Sequence, residues 1–153
     1  MNRHSIARWC RRLLVAGACG FLAVACYAID NPDAPRLVPL FQSRAELYEL
    51  RLADSAGTVS ATVADVAQYE RFLDSELRQA FLALSEKLDS VARGALSRSQ
   101  QQWLNYRVAE SEFIDLNWNL ANFGSSSALS RGSYRAAISK DRIVLLLEYL
   151  QNY

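Results

Sequence analysis

The sequence has one histidine, three cysteines, three prolines and six glycines in 153 residues. His4, Cys10 and Cys19 all lie in the first 25 residues, and the third cysteine is Cys26. Beyond that point there is no imidazole and no thiol. This excludes histidine acid–base catalysis, a Ser-His-Asp triad and a Cys-His nucleophile pair. Zinc sites built on thiolate or imidazole are excluded too, and so is an internal disulfide. Pro32, Pro35 and Pro39 all precede residue 40, so no proline interrupts the chain after it. No stretch alternates apolar and polar residues at period two, and nothing repeats, so strands are not expected.

The N-terminus reads as an export signal. MNRHSIARWCRR carries Arg3, Arg8, Arg11 and Arg12 and no acid, and LLVAGACGFLAVA follows as an uncharged run. That run is too short to span a bilayer. Arg11-Arg12 lacks the rest of a twin-arginine signal. Ala23-Val24-Ala25 offers small residues before a cleavage point, and Cys26 follows. Two products fit: a lipoprotein with lipid on Cys26, or plain secretion. Residues 1–25 are therefore assigned to a signal peptide, 26–42 to an extended tether holding the prolines, and 43–153 to the domain. Removing four arginines from 17 basic residues leaves 13 against 16 acids, a net charge of −3. This mild acidity argues against nucleic acid and suits a cationic partner.

The domain reads as all-α, a small bundle of three long helices plus a short N-terminal helix. SRAE (43–46) and SRSQ (97–100) are capping boxes, and TVAD (62–65) has related chemistry. They open a short helix over 44–55 carrying Leu47 and Leu50, a long one, and a third running to about Phe123. Gly57 closes the first helix. Val66, Tyr69, Leu73, Leu77, Ala80, Leu84, Leu88 and Val91 form the clearest apolar stripe, which Gly94 interrupts. GSSSALSRG (124–132) reads as a loop. A last helix, about 133–151, places Tyr134, Ile138, Leu145 and Tyr149 on one side. Its segment IVLLLEYL suits central packing.

In SQQQWLNYRVAESEF (99–113), Trp103, Tyr106, Ala109 and Phe113, with Ile114 beyond, crowd one side of a helix. Arg107 and Glu110 fall inside that arc, at about 40° and 340° from Trp103. A ligand site would explain them; a satisfied core pair, extended to acids or carbonyls of neighbouring helices, explains them more simply. Asp74 is one candidate partner. Trp103, Tyr106 and Phe113 could stack a sugar or a base, with Asn117 and Trp118 extending a groove, but core packing is the commoner role of such a stripe. Asp65, Glu70, Asp74, Glu76, Glu110, Glu112 and Asp115 offer carboxylates for glycoside hydrolysis, and nothing singles out a pair.

Asp74-x-x-Leu77, Gln100-x-x-Trp103-x-x-Tyr106-Arg107-x-Ala109-Glu110, then Gly124-Ser125 and Arg142, resemble the LprI-type lysozyme-inhibitor domain over about residues 62–150. The resemblance departs at Arg78, Phe81 and Phe123. Ser111 and Ser133 stand where the family carries cysteines, and Asp65 stands near a third. The resemblance implies a disulfide given up as a unit, a loss of roughly 2–4 kcal/mol.

It also implies a small exported helical protein, periplasmic or anchored to the outer membrane, with no catalytic residues, cofactor or metal. The implied partner is a protein such as a lysozyme-like cell-wall hydrolase. The membrane is met only through a lipid on Cys26. On this reading Gly124, Ser125, Ser126, Ser127 and Arg131 form an exposed partner-binding loop, because serines and a forked guanidinium suit a cleft lined with carboxylates. Asp74, Leu77, Gln100, Trp103, Tyr106, Arg107, Glu110 and Arg142 are structural. The alternative is a structural or assembly module of the bacterial envelope with no hydrolase partner.

Overall fold

The computed structural model describes residues 35–54 and 58–153. The expected signal segment, Cys26 and Gly57 lie outside the described residues. Five α-helices follow in order: α1 (Leu37–Asp54), α2 (Val59–Lys87), α3 (Ser90–Asn117), the single turn α4 (Leu120–Phe123) and α5 (Ser127–Leu150). A 3₁₀ turn, Gly124–Ser126, joins the last two. No strand occurs among the described residues, as the missing period-two pattern implies.

The helix boundaries differ from the capping boxes. Thr58, not Thr62, caps α2, its hydroxyl accepting from Ala61 N at 3.2 Å. Asp89, not Ser97, caps α3, accepting from the amides of Val91 and Ala92. Inside a helix the same side chains bond backwards: Ser43 donates to Pro39 O and Thr62 to Thr58 O. A hydroxyl satisfied this way carries no start signal. α1 begins at Leu37, inside the expected tether, with Pro39 in a first turn that needs no amide hydrogen. Gln151 replaces a local cap there. Its side-chain oxygen accepts from Leu37 N at 3.1 Å and Val38 N at 3.3 Å, which pins the start of α1 to the end of α5.

α2 and α5 pair along most of their length, and α1 lies across both. The core is Phe41 and Ala45 from α1, Tyr69, Leu73, Leu77, Ala80 and Leu84 from α2, and Ala136, Ile143, Leu146 and Leu147 from α5. The α2 stripe is thus buried as its spacing requires, up to Leu84. Val91 belongs to α3 and is exposed. The chain turns at Leu88–Asp89, where Arg93 donates to Ser85 O and Leu88 O and closes the end of α2. Gly94 sits within α3.

Two other faces are rotated from expectation. Leu47 and Leu50 point to solvent, while Phe41 and Ala45 are buried, and Tyr48 stacks on Phe72 at 4.5 Å. On α5, Tyr134 and Tyr149 are exposed. The inward face is Ser127, Gly132, Ala136, Ser139, Arg142, Ile143, Leu146 and Leu147. The first half of that face is small (Ser127, Gly132, Ala136 and Ser139), and at Gly132 an added Cβ would meet Val66 of α2.

Gly132 and Gly94 should therefore respond in opposite ways to alanine. A Cβ on Gly132 would lie 2.5 Å and 2.7 Å from the methyls of Val66, whereas one on Gly94 meets only Arg98 at 3.7 Å. Gly132→Ala is expected to destabilise by about 1–3 kcal/mol through overpacking. Gly94→Ala is expected to stabilise by about 0.5–1 kcal/mol, from helix propensity alone. Urea denaturation of the two variants checks both signs.

Candidate functional site

α3 joins the bundle through an unusual face. Only Gln100 and Ile114 of its residues are buried, and Trp103, Leu104, Arg107, Glu110 and Ser111 are half-buried beside them. Measured from Trp103, these positions centre near 40–60°, so Arg107 stands mid-face. Tyr106, Ala109 and Phe113, read from the sequence as part of the inner side, face solvent.

Two polar contacts hold this face. Arg107 Nη1 donates to Asp74 Oδ1 on α2 at 2.6 Å, with its guanidinium 5.2 Å from the Trp103 ring centroid. Asp74 is thus the partner, and Glu110 has none among the described residues. The pair is not buried: the side chains are 28% and 50% exposed. The deeply buried cation is Arg142 on α5, 8% exposed. Its Nε donates to Gln100 Oε1 at 3.0 Å and its Nη2 to Ser99 Oγ at 3.2 Å. Burial pushes its pKa down, against a smaller opposing effect of Tyr149. Every buried side-chain nitrogen and oxygen among the described residues has a partner. The sequence motif thus brings Asp74 to Arg107, Arg107 to Trp103 and Gln100 to Arg142. Leu77 lies in the core, while Tyr106 stands apart on the outer side.

A cleft of about 370 Å³ opens between α2, α3 and α5. Four carboxylates line it (Glu70, Asp74, Glu112 and Asp115) against two guanidiniums, Arg107 and Arg135. Both guanidiniums are already engaged. Arg135 bridges Glu70 at 2.8 Å and Asp115 at 2.7 Å. Glu112 has no ion-pair partner among the described residues, so the cleft carries an excess of negative charge. Among the described residues no group of three or more metal-ligating side chains forms.

A second cleft, about 430 Å³, lies between α1, α2 and α5. There Glu49 accepts from Tyr69 at 2.7 Å and from Lys140. Burial, then the bond to Glu49, raises the Tyr69 pKa. Ser111 lines the first cleft and Ser133 the second, so the two serines do not share a seam.

The segment 124–132 is not a free loop. Ser127 to Gly132 form the first turns of α5, with Ser127 and Gly132 buried. Arg131 donates to Trp118 O at 2.8 Å and lies 3.6 Å from Asp115. Glycine and serine fit here because the α5 face must be small, not because the chain must turn. Only Gly124, at φ +58°, with Ser125 and Ser126, makes an exposed corner. Behind it Trp118 packs at a tilt against Phe123 at 4.4 Å and stacks on Tyr134 at 5.4 Å, which accounts for Trp118 without a groove.

Arg142→Ala should cost about 2–4 kcal/mol, since it removes a buried stem and orphans buried Gln100. Arg107→Ala should cost no more than about 1 kcal/mol, because its pair is half in water. Thermal melts rank the two. Glu49 supplies a pH test. Burial would raise its pKa, but the bonds from Lys140 and Tyr69 outweigh burial and hold the carboxyl below its ordinary value. Its stabilisation is complete above the unfolded pKa and is lost as pH falls through the folded one. Glu49→Gln is expected to melt below wild type at neutral pH, with the gap closing below about pH 4.

The family model for "Lysozyme inhibitor LprI" matches residues 53–146, which spans α2, α3, α4 and most of α5. No curated protein and no solved structure matches the chain. The matched span contains both polar contacts of α3 and the whole charged cleft. The chain belongs to the LprI lysozyme inhibitor family.

Proposed function

We propose that the protein is an exported binding module that inhibits a lysozyme-like cell-wall hydrolase by occupying its surface, with no catalysis of its own. The observation that carries this reading is the acid excess of the α2–α3–α5 cleft, whose two arginines are consumed by internal pairs. An enzyme that works on an anionic wall polymer profits from cationic side chains, and such a side chain finds its complement in Glu112, the cleft carboxylate with no ion-pair partner among the described residues. The polarity is the reverse of an arginine plug from residues 124–132, because Arg131 is already spent on Asp115 and Trp118. Gly124, Ser125 and Ser126 remain as a rim contact. Export rests on the signal-like N-terminus, with Cys26 as a lipid-bearing N-terminus. No helix among the described residues is long and apolar enough to cross a membrane.

Lysis of cell-wall suspensions by several lysozymes, with and without the protein, tests the proposal. The expected result is inhibition that weakens as salt rises. Glu112→Arg is expected to weaken it further, by about tenfold, with the melt unchanged. Absence of inhibition for every lysozyme tried would overturn the reading and favour an envelope assembly module.

A further inference from the structure

The outer face of α3 carries an apolar strip of its own. Tyr106, Ala109, Phe113 and Leu116 recur at spacings of three, four and three, the pattern of a helix–helix seam. All are exposed, with Tyr106 at 51%, Phe113 at 58% and Leu116 at 77%. On a helix they form one strip about 15 Å long. Leu120 and Phe123 of α4, also exposed, continue the same spacing past the end of α3. None of these side chains is needed to hold α3, because Gln100, Arg107 and Ile114 do that from the other side.

The edges of the strip are acidic. Glu110 borders one side and Glu112 the other, and neither has an ion-pair partner among the described residues. Val108, Glu112 and Asp115 also line the charged cleft, so the strip and the cleft share a border.

We propose that the outer strip of α3 is a docking site for an amphipathic helix of another protein, one whose apolar stripe is bordered by lysines or arginines. Tyr106, Phe113 and Leu116 are the apolar anchors, and Ala109 is the notch that admits a large side chain of the partner. Glu110 and Glu112 pair with the cationic borders and set the choice of partner. The site deepens the proposed inhibitory function by naming the kind of surface the partner presents, and its test needs no hydrolase.

The probe is a synthetic 21-residue helical peptide with leucine on its seam and lysine on both borders. A twin peptide carries glutamate at the border positions. Titration against the full chain, followed by fluorescence anisotropy, is expected to show the lysine peptide binding about tenfold or more tighter than its twin. Phe113→Asp adds negative charge, so it would strengthen attraction that is merely electrostatic; here it is expected to abolish binding. Glu110→Gln with Glu112→Gln is expected to close the gap between the two peptides. A circular-dichroism melt identical to wild type is expected for both variants, because none of these side chains is buried. Equal binding of both peptides by the wild type, or undiminished binding by Phe113→Asp, would overturn the proposal. So would a sedimentation profile showing a wild-type dimer that Phe113→Asp dissociates, since that would assign the strip to a second copy. Peptide binding without inhibition of any lysozyme would leave this site standing and remove the hydrolase.

Discussion

The fold depends on how close α2 and α5 come. Gly132 lies against the methyls of Val66 with no room for one more carbon. Further along, the small residues Ala80, Ala136 and Ser139 are buried on the facing helices. That closeness lets Leu73, Leu77, Ile143 and Leu146 make one close-packed core, which a wider spacing would leave with voids. α1 is then laid over the pair by rings and by charge. Tyr48 stacks against both Tyr69 and Phe72, and Arg44 meets both oxygens of Glu76 at 3.0 Å and 2.6 Å. A forked contact of this kind fixes orientation as well as distance.

α3 is attached by a different principle. Beside Leu96, Trp103 and Ile114 its inner face carries polar contacts that must be satisfied together and that set the register. Gln100 reaches Arg142 on α5 while Arg107 reaches Asp74 on α2. A slide of one turn, about 5.4 Å, would break both at once. Apolar contacts alone would tolerate such a slide far better, since they have no direction. The cost is weaker anchoring, and the consequence is that the apolar residues of α3 are left free to face outward. The same two anchors, on α2 and α5, hold the walls of the charged cleft apart at a fixed spacing.

The sequence was most legible where burial and hydrophobicity coincide. α2 shows this: Val66 to Leu84 recur at helical spacing and are buried, because the helix has apolar neighbours on that face. The inner face of α3 was misread for the opposite reason. Apolar weight lies at Trp103, Tyr106 and Phe113, but the neighbours of α3 present Asp74 and Arg142, so the helix turns its polar residues inward. Arg107 does stand on the inner face and meets Asp74, one of the candidates the sequence offers, whereas Glu110 is unpaired among the described residues and the pair is half in water. Residues 124–132 were read as a loop because glycine and serine usually turn chains. In α5 they instead fill a face that has no space for larger side chains, and no local signal separates those two uses. The start of α1 was illegible for a related reason, since its amide partners come from Gln151, 114 residues away from Leu37.

These errors share a physical pattern that bears on function. Sequence periodicity reports where apolar weight lies, and it matches burial only when every apolar face has a partner within the chain. On α2 it does. On α3 it does not, and the mismatch marks the strip proposed as the docking site. The motif residues Asp74, Gln100, Trp103, Arg107 and Arg142 face inward and fix the pose of α3, whereas Tyr106, Phe113 and Leu116 face outward, with Glu110 and Glu112 at the borders between the two sides. Framework and recognition therefore fall on opposite sides of one helix. Substitutions on the outer side can change which partner is bound without disturbing the contacts that hold the bundle, because no hydrogen bond or core contact crosses from one side to the other.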